Sequence, residues 1–149
     1  MKPQISVTKS FKWEMAHMLA HHEGACRNIH GHSYQLEITV VRNSERLEHD
    51  MVEDFSHLEK LVRALIVDRY DHAFLYWENS DDEGERALAE VARKYNHKVV
   101  GMALRPTAEN MADDIFELLR KPLNETGLSL HRLRLWETAS SYVEICTNA

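Results

Sequence analysis

Three histidines fall at spacings that would bring their imidazole rings together. His30 and His32 flank Gly31, and side chains at i and i+2 of a strand point to the same face. His17 ends an earlier segment in which apolar and polar residues alternate. If this segment forms a hairpin with the strand that contains His30 and His32, His17 would lie beside the start of that second strand. Three converging imidazoles suit zinc, which binds neutral ring nitrogens at about 2.0–2.1 Å and keeps a fourth position for water or substrate. Each histidine alone is more typical of a hydrogen-bonded core or rim residue, whereas all three in phase favour a metal site.

Cys26 lies in the loop between these segments, four positions before His30. A thiol near zinc and histidine loses its proton close to neutral pH and can then act as a base or nucleophile. Cys26 could equally be a fourth ligand that closes a structural site, and the spacing leaves both interpretations open. His21 and His22 share the loop and are either anion contacts or solvated side chains.

Two further signals lie downstream. Asp71 could orient His72 for a proton relay, although an Asp-His pair is also typical of a capped turn. Glu137 is in phase with the apolar Leu133 and Leu135. A carboxylate in that position needs a protein partner or a donor-rich ligand to offset its desolvation.

Hydrophobic periodicity predicts the elements that position these residues. Alternation of apolar and polar side chains predicts a first strand over residues 5–15 and a second over about 32–41. Apolar residues at helical spacing predict a helix over 54–68, with Ser56 and Glu59 as a capping box.

The second half of the sequence predicts four more elements. They are a short helix over 87–95, a strand over 98–104, a helix opening at Pro106 with Thr107 as its cap, and a final strand pair over 130–137 and 142–146. Strands paired at each end with helices between them indicate an α+β fold, mostly antiparallel. We expect one domain spanning residues 1–149.

Composition excludes several classes of protein. The chain has 149 residues, 44% of them hydrophobic, which is typical of a globular protein rather than a disordered one. A net charge of −6 with scattered basic residues argues against a nucleic-acid partner. The absence of a long apolar run or an apolar leader predicts a cytoplasmic protein without a membrane span. Five glycines do not form a phosphate-binding loop, and two cysteines do not form a disulfide framework.

The sequence resembles the 6-pyruvoyl-tetrahydropterin synthase family, and within it the 6-carboxy-tetrahydropterin synthases of queuosine biosynthesis. The resemblance runs in order over nearly the whole chain and rests on six segments: 11–17, 26–32, 51–55, 70–75, 106–110 and 136–138. Three residues between Cys26 and His30 favour the 6-carboxy branch over the 6-pyruvoyl branch. The sequence departs from the family pattern at Tyr70, at Glu53 and in a longer 78–105 segment, which we expect to add a peripheral helix and strand.

This resemblance implies a role for each motif residue. His17, His30 and His32 would hold Zn²⁺, Cys26 would be the proton-abstracting thiolate, and His72 with Asp71 would relay the proton. Glu137 would anchor the pterin ring, and Thr107 and Glu109 would line its pocket. The family fold is the tunnelling (T) fold, an antiparallel sheet with helices on one face. It assembles into homo-oligomers, trimers or hexamers, whose active sites lie between subunits.

The implied substrate is 7,8-dihydroneopterin triphosphate, and the implied products are 6-carboxytetrahydropterin, acetaldehyde and triphosphate. The alternative within the family stops at 6-pyruvoyl-tetrahydropterin. Two alternatives from other classes are a non-enzymatic zinc protein with a closed site of one cysteine and three histidines, and a zinc hydrolase in which Cys26 is incidental. The sequence does not single out the triphosphate ligands; the candidates are Arg27, His21, His22 and a lysine of a neighbouring subunit.

Overall fold

A single six-stranded sheet organises the chain. The computed structural model describes residues 3–148. The strands lie side by side in the order β4-β3-β1-β2-β5-β6. Their bounds are β1 Ser6–His17, β2 His30–Arg42, β3 Phe74–Trp77, β4 Val99–Met102, β5 Leu128–Thr138 and β6 Ser141–Cys146.

The long hairpin of β1 and β2 is the centre of the sheet. Its register pairs Ser6 with Val41 at one end and His17 with His30 at the other. Alternation along both strands sends every second side chain into the core, so Trp13 and Tyr34 are buried across from each other. The structure confirms the predicted strand pair and extends it to both histidine ends.

Helices cover only the apolar face of the sheet. They are α1 Phe55–Val62, a π-helical turn Arg63–Val67, α2 Asp68–Tyr70, α3 Glu83–Lys94 and α4 Ala108–Glu125. Asp54 caps α1 by accepting a hydrogen bond from the Ser56 backbone N–H, so the predicted capping role of Ser56 is wrong. Thr107 caps α4 as predicted, since its hydroxyl accepts from the Asn110 N–H.

Two short strands join the sheet in parallel. β3 pairs with β1 only at Ala16 and His17, and β4 pairs with β3 along its whole length. The sequence reading missed β3 and placed β4 correctly within 98–104. The 78–105 segment adds α3 and β4 at one edge, as expected. The sheet is therefore antiparallel over its four long strands and mixed at this edge.

The architecture is the predicted α+β arrangement of a curled sheet with helices on one face. The core lies between that face and the helices, and its fully buried side chains include Leu36, Ile38, Leu58, Ile66, Ile115 and Leu135. Over residues 3–148, no helix combines the length and apolar character that a membrane span requires.

Candidate metal centre

The hairpin register brings the three histidines together at one end of the sheet. His17 and His30 are direct cross-strand partners, and His32 faces the same side as His30. The Nε2 atoms of His17 and His30 lie 3.1 Å apart. One nitrogen from each of the three rings fits within a group whose atoms all lie within 4.8 Å of one another.

Backbone carbonyls fix the orientation of two of the rings. The Nδ1 atom of His17 lies 2.8 Å from the Pro106 carbonyl oxygen, and that of His30 lies 2.7 Å from the Asn28 carbonyl oxygen. A carbonyl only accepts, so Nδ1–H donates in both rings, and in the neutral form each Nε2 keeps its lone pair. Metal-binding histidines typically show this arrangement, with the outer nitrogen bonded to a carbonyl or carboxylate.

Burial keeps His17 neutral at physiological pH. Its side chain is fully buried, and desolvation lowers its pKa to about 4 despite the hydrogen bond to Pro106. Desolvation also lowers the pKa of His32, against an opposing effect of Glu137. Neutral rings are the form that coordinates a metal ion.

The spacing of the nitrogens fits a divalent metal ion. Two Nε2 lone pairs facing each other at 3.1 Å repel unless a proton or a metal ion lies between them. Tetrahedral zinc with ~2.0–2.1 Å bonds separates neighbouring ligand atoms by about 3.3–3.4 Å. The donor set and its outer hydrogen bonds therefore fit zinc.

Glu137 is adjacent to this group. Its Oε1 atom lies 3.4 Å from His17 Nε2 and 3.5 Å from His32 Nε2. The carboxylate is partly exposed, so a molecule entering the site can reach it. The structure thus places near the histidines the acidic residue that the strand phase had predicted to point inward.

Cys26 lies beside the three histidines in sequence but outside their ligand group. It occupies a 3₁₀ turn, Ala25–Arg27, and its thiol is free and half-buried. The group of potential ligands whose atoms lie within 4.8 Å of one another comprises His17, His30 and His32 and does not include Cys26. This geometry gives no support to a closed site in which Cys26 is the fourth ligand.

Hydrogen bonds hold the loop that carries Cys26. The Leu19 N–H donates to the Cys26 carbonyl, and His21 Nε2 pairs with Asp81 at 2.6 Å. His22 accepts a hydrogen bond from Gly24 N–H through its Nδ1 atom. Arg27 and His22 line a depression that also contains acidic side chains, Glu23 and Asp82. The loop is thus fixed to the 78–82 turn by the His21–Asp81 pair.

Asp71 and His72 form a pair at the start of β3. The Asp71 Oδ1 atom accepts from the Glu14 N–H at 3.0 Å and lies 3.0 Å from His72 Nδ1. The Glu14 N–H is the main cause of the lowered Asp71 pKa, with His72 a smaller one. His72 is largely exposed and lines one depression together with His32, Glu14 and Ser33. Cys26 is not among the residues that line it.

Thr107 and Glu109 lie at the start of α4. The Thr107 hydroxyl is engaged in the helix cap, and Glu109 is exposed in the first turn. The structure therefore gives Thr107 a local role, and within residues 3–148 no hydrogen bond or ion pair joins either side chain to the three histidines.

Sequence reasoning missed three groups around the histidines. Pro106 and Asn28 contribute backbone carbonyls, which carry no side-chain signal in a sequence. Tyr34 continues the face of His30 and His32, and its ring packs edge-on against His32 at 5.6 Å between centroids. The Tyr34 hydroxyl is buried without a hydrogen-bond partner in the described residues, and burial raises its pKa. Tyr34 lies two residues beyond His32 in β2, so the same two-residue strand period places its side chain on the face of the histidines.

Comparison with solved structures shows the fold class of this chain. An uncharacterized protein from Wolinella succinogenes superposes with a TM-score of 0.82 at 20% identity, covering 99% of this chain and 100% of that one. The 6-pyruvoyl tetrahydropterin synthase of Plasmodium vivax gives a TM-score of 0.72 at 17% identity over 99% and 100% of the two chains. At these identities the likeness concerns the fold, which is the T-fold.

Sequence comparison assigns the family. The family model of 6-pyruvoyl tetrahydropterin synthase matches residues 6–148, and the chain belongs to that family. A 6-carboxy-5,6,7,8-tetrahydropterin synthase from Haemophilus influenzae is 38% identical over 142 residues, covering 94% of this chain and 97% of the relative. A synthase of the same name from Aquifex aeolicus is 37% identical, covering 97% and 98%. The predicted family is thereby confirmed.

Proposed function

We propose that this protein is a zinc-dependent 6-carboxy-5,6,7,8-tetrahydropterin synthase, a lyase of queuosine biosynthesis. It would convert 7,8-dihydroneopterin triphosphate and one water molecule to 6-carboxytetrahydropterin, acetaldehyde and triphosphate. The observation that carries the proposal is the meeting of three histidine nitrogens beside the partly exposed carboxylate of Glu137. The names of the Haemophilus and Aquifex relatives support the 6-carboxy branch.

His17, His30 and His32 would hold the metal through their inward nitrogens. Bound zinc would supply Lewis acidity that lowers the pKa of the side-chain hydroxyls of the substrate. The Pro106 and Asn28 carbonyls hold two of the rings in the orientation that this requires.

Cys26 and His72 would move the protons. The Cys26 thiol is free and half-buried in a loop next to the metal ligands, so it suits proton abstraction from the substrate side chain. His72 is exposed and has Asp71 against its Nδ1 atom, which suits a relay that exchanges protons with the substrate or solvent.

Glu137 would anchor the pterin. A carboxylate accepts hydrogen bonds from the amino and ring N–H groups of a pterin through both oxygens. Its position next to two histidine rings would bring the ring system close to the metal. Thr107 and Glu109 remain candidates for the outer part of the pterin pocket.

The working form is proposed to be a homo-oligomer with active sites between subunits. β3 covers the outer edge of β1 only at Ala16 and His17. The edge from Ser6 to Met15, and the outer edge of β6, have no strand partner within residues 3–148. An unpaired edge of this length can pair with a strand of another chain. In a symmetric homo-oligomer that chain would be a second copy of this one.

Replacing Cys26 with alanine tests the reaction class. A synthase that uses the thiolate keeps one zinc per chain and loses turnover of dihydroneopterin triphosphate. A closed structural site loses zinc affinity instead, and a zinc hydrolase is little affected. Cys146→Ala is the matched control, because Cys146 is the other free cysteine and lies exposed at the end of β6. Turnover by the Cys26→Ala protein at the parent rate would refute the thiolate assignment.

The products distinguish the two branches of the family. Purified protein given dihydroneopterin triphosphate is expected to release acetaldehyde in step with triphosphate. Accumulation of 6-pyruvoyl-tetrahydropterin without acetaldehyde would assign the protein to the other branch.

A further inference from the structure

The turn that precedes α4 is held by Asn110 from two sides. The Asn110 side-chain amide donates to the Arg105 carbonyl at 2.9 Å. The Asn110 backbone N–H donates to the Thr107 hydroxyl at 3.2 Å. The Thr107 N–H also donates to the Arg105 carbonyl at 2.8 Å, which closes a three-residue turn around Pro106.

This turn fixes the direction of one carbonyl. The proline ring restricts φ of Pro106, and the hydrogen bond from Thr107 to Arg105 restricts its ψ. With both angles restricted, the Pro106 carbonyl oxygen stays 2.8 Å from Nδ1 of the fully buried His17. The ring orientation of His17 therefore depends on a turn at the start of α4.

We propose that Asn110 is a positioning residue for the metal centre. Its side-chain amide donates to the Arg105 carbonyl and so stabilises the turn around Pro106. The turn orients the Pro106 carbonyl, which accepts from Nδ1–H of His17. With Nδ1 engaged in this way, Nε2 of His17 would face the metal ion. Asn110 does not touch the metal itself. The inference rests on the proposed role of His17 as a zinc ligand.

If Asn110 acted only in the cap of α4, the variant Asn110→Asp would be expected to bind zinc as the parent does. Asn110 is the third residue of α4, where the negative charge of an aspartate interacts favourably with the positive end of the helix dipole. Asn110→Asp keeps the shape and the backbone donor but loses the amide donor toward Arg105. A merely structural role therefore predicts unchanged or raised thermal stability and unchanged zinc affinity.

The test measures zinc affinity by chelator competition, with thermal stability measured on the metal-free protein. Removal of a direct outer partner of a metal-binding histidine costs about 10–100-fold in metal affinity. Because Asn110 acts through the Pro106 carbonyl, the expected result for Asn110→Asp and Asn110→Ala is a loss near the lower end of that range, about tenfold. The ligand-field spectrum of the cobalt-loaded variants is expected to change as well. Asn124→Asp, an exposed site in the last turn of α4, is the matched control and keeps the parent affinity.

A second readout requires neither metal nor substrate. In metal-free parent protein, a long-range ¹H–¹⁵N spectrum of the histidines is expected to show His17 protonated on Nδ1, and Asn110→Asp to weaken that preference. Parent-like zinc affinity together with an unchanged His17 tautomer in Asn110→Asp would overturn the positioning role. Failure of the parent to bind zinc, with the tautomer still altered, would overturn the proposed metal function and leave the link between Asn110 and His17 standing.

Discussion

The Nδ1 atom of His17 and the carbonyl oxygen of Pro106 are hydrogen-bonded at 2.8 Å although 89 positions separate the two residues. This contact joins the end of β1 to the start of α4. A ligand at a strand end is thus oriented by a segment from the other half of the chain. Metal affinity should consequently report on the packing of α4 as well as on the histidines.

Removing His30 is expected to abolish tight zinc binding. Loss of an outer partner already costs about 10–100-fold in metal affinity, so His30→Ala should cost more than about 100-fold. The His30 ring is half-buried, and its replacement should leave the fold intact. Zinc content after dialysis and chelator competition measure the effect. His97→Ala, an exposed histidine beyond α3, is the control, and equal zinc retention by the two variants would contradict the proposed ligand set.

Glu137→Gln is expected to weaken substrate binding while zinc is retained. The amide replaces one acceptor oxygen with a donor, so a pterin loses at least one hydrogen bond to a charged group, worth about 1.5–3 kcal/mol. The KM for dihydroneopterin triphosphate should rise by about tenfold or more, since 1.4 kcal/mol corresponds to a factor of ten. Glu125→Gln at the end of α4 is the control. A parent-like KM in the Glu137 variant would exclude the anchoring role.

His72→Gly is expected to lower turnover without destabilising the fold. His72 has a φ of 64°, a left-handed conformation that costs a residue with a Cβ about 1–2 kcal/mol. Glycine removes that cost but adds about 0.5–1 kcal/mol of unfolded-state entropy, so the free energy of unfolding should rise by about 0–1.5 kcal/mol. Turnover should fall by about 10²–10⁴-fold, the range for a lost general acid or base. Urea unfolding and steady-state kinetics measure the two quantities, and unchanged turnover would remove His72 from the mechanism.

Mixing two inactive variants tests whether active sites are shared between subunits. If Cys26 of one chain works with His72 of another, hybrids of Cys26→Ala and His72→Gly contain sites with both groups intact. Random mixing of equal amounts restores about a quarter of the sites in a symmetric oligomer with two-chain sites. The measurement is turnover after the variants are unfolded and refolded together, with each variant refolded alone as control. No recovery, although native mass spectrometry shows hybrids, would mean that each site lies within one chain.

Periodicity predicted the elements that carry alternating side chains. β1 and β2 have one buried and one polar face, so their pattern fixed both the strands and the shared side of His30 and His32. β3 was not predicted, because Phe74–Trp77 is a four-residue apolar run without alternation, and its parallel partners are remote in sequence. Asp54 and Ser56 are both favourable capping residues, and only the backbone geometry decides between them.

The groups of the candidate site also differ in whether the sequence marks them. The histidines, Cys26, the Asp71–His72 pair and Glu137 were accessible to sequence reasoning, because a strand period or a motif marks them. Tyr34 lies on the same strand period but was predicted only as an apolar strand residue. The carbonyls of Pro106 and Asn28 were not, since every residue has a carbonyl and only the fold determines which one faces an imidazole. Asn110 lies in the 106–110 motif, but its role was not predicted, because its amide acts on a backbone group.

Glu85 provides a prediction on stability away from the metal centre. Its carboxylate is fully buried: Oε2 accepts from the Trp77 N–H at 2.7 Å, while Oε1 has no partner among the described residues. Glu85→Ala leaves the Trp77 N–H unpaired and should cost about 1–3 kcal/mol. Glu85→Gln keeps an acceptor for that N–H and removes a buried charge, so it should be at least as stable as the parent at pH 7. Urea unfolding compares the three proteins, and destabilisation by glutamine as large as by alanine would show that the charge itself stabilises α3.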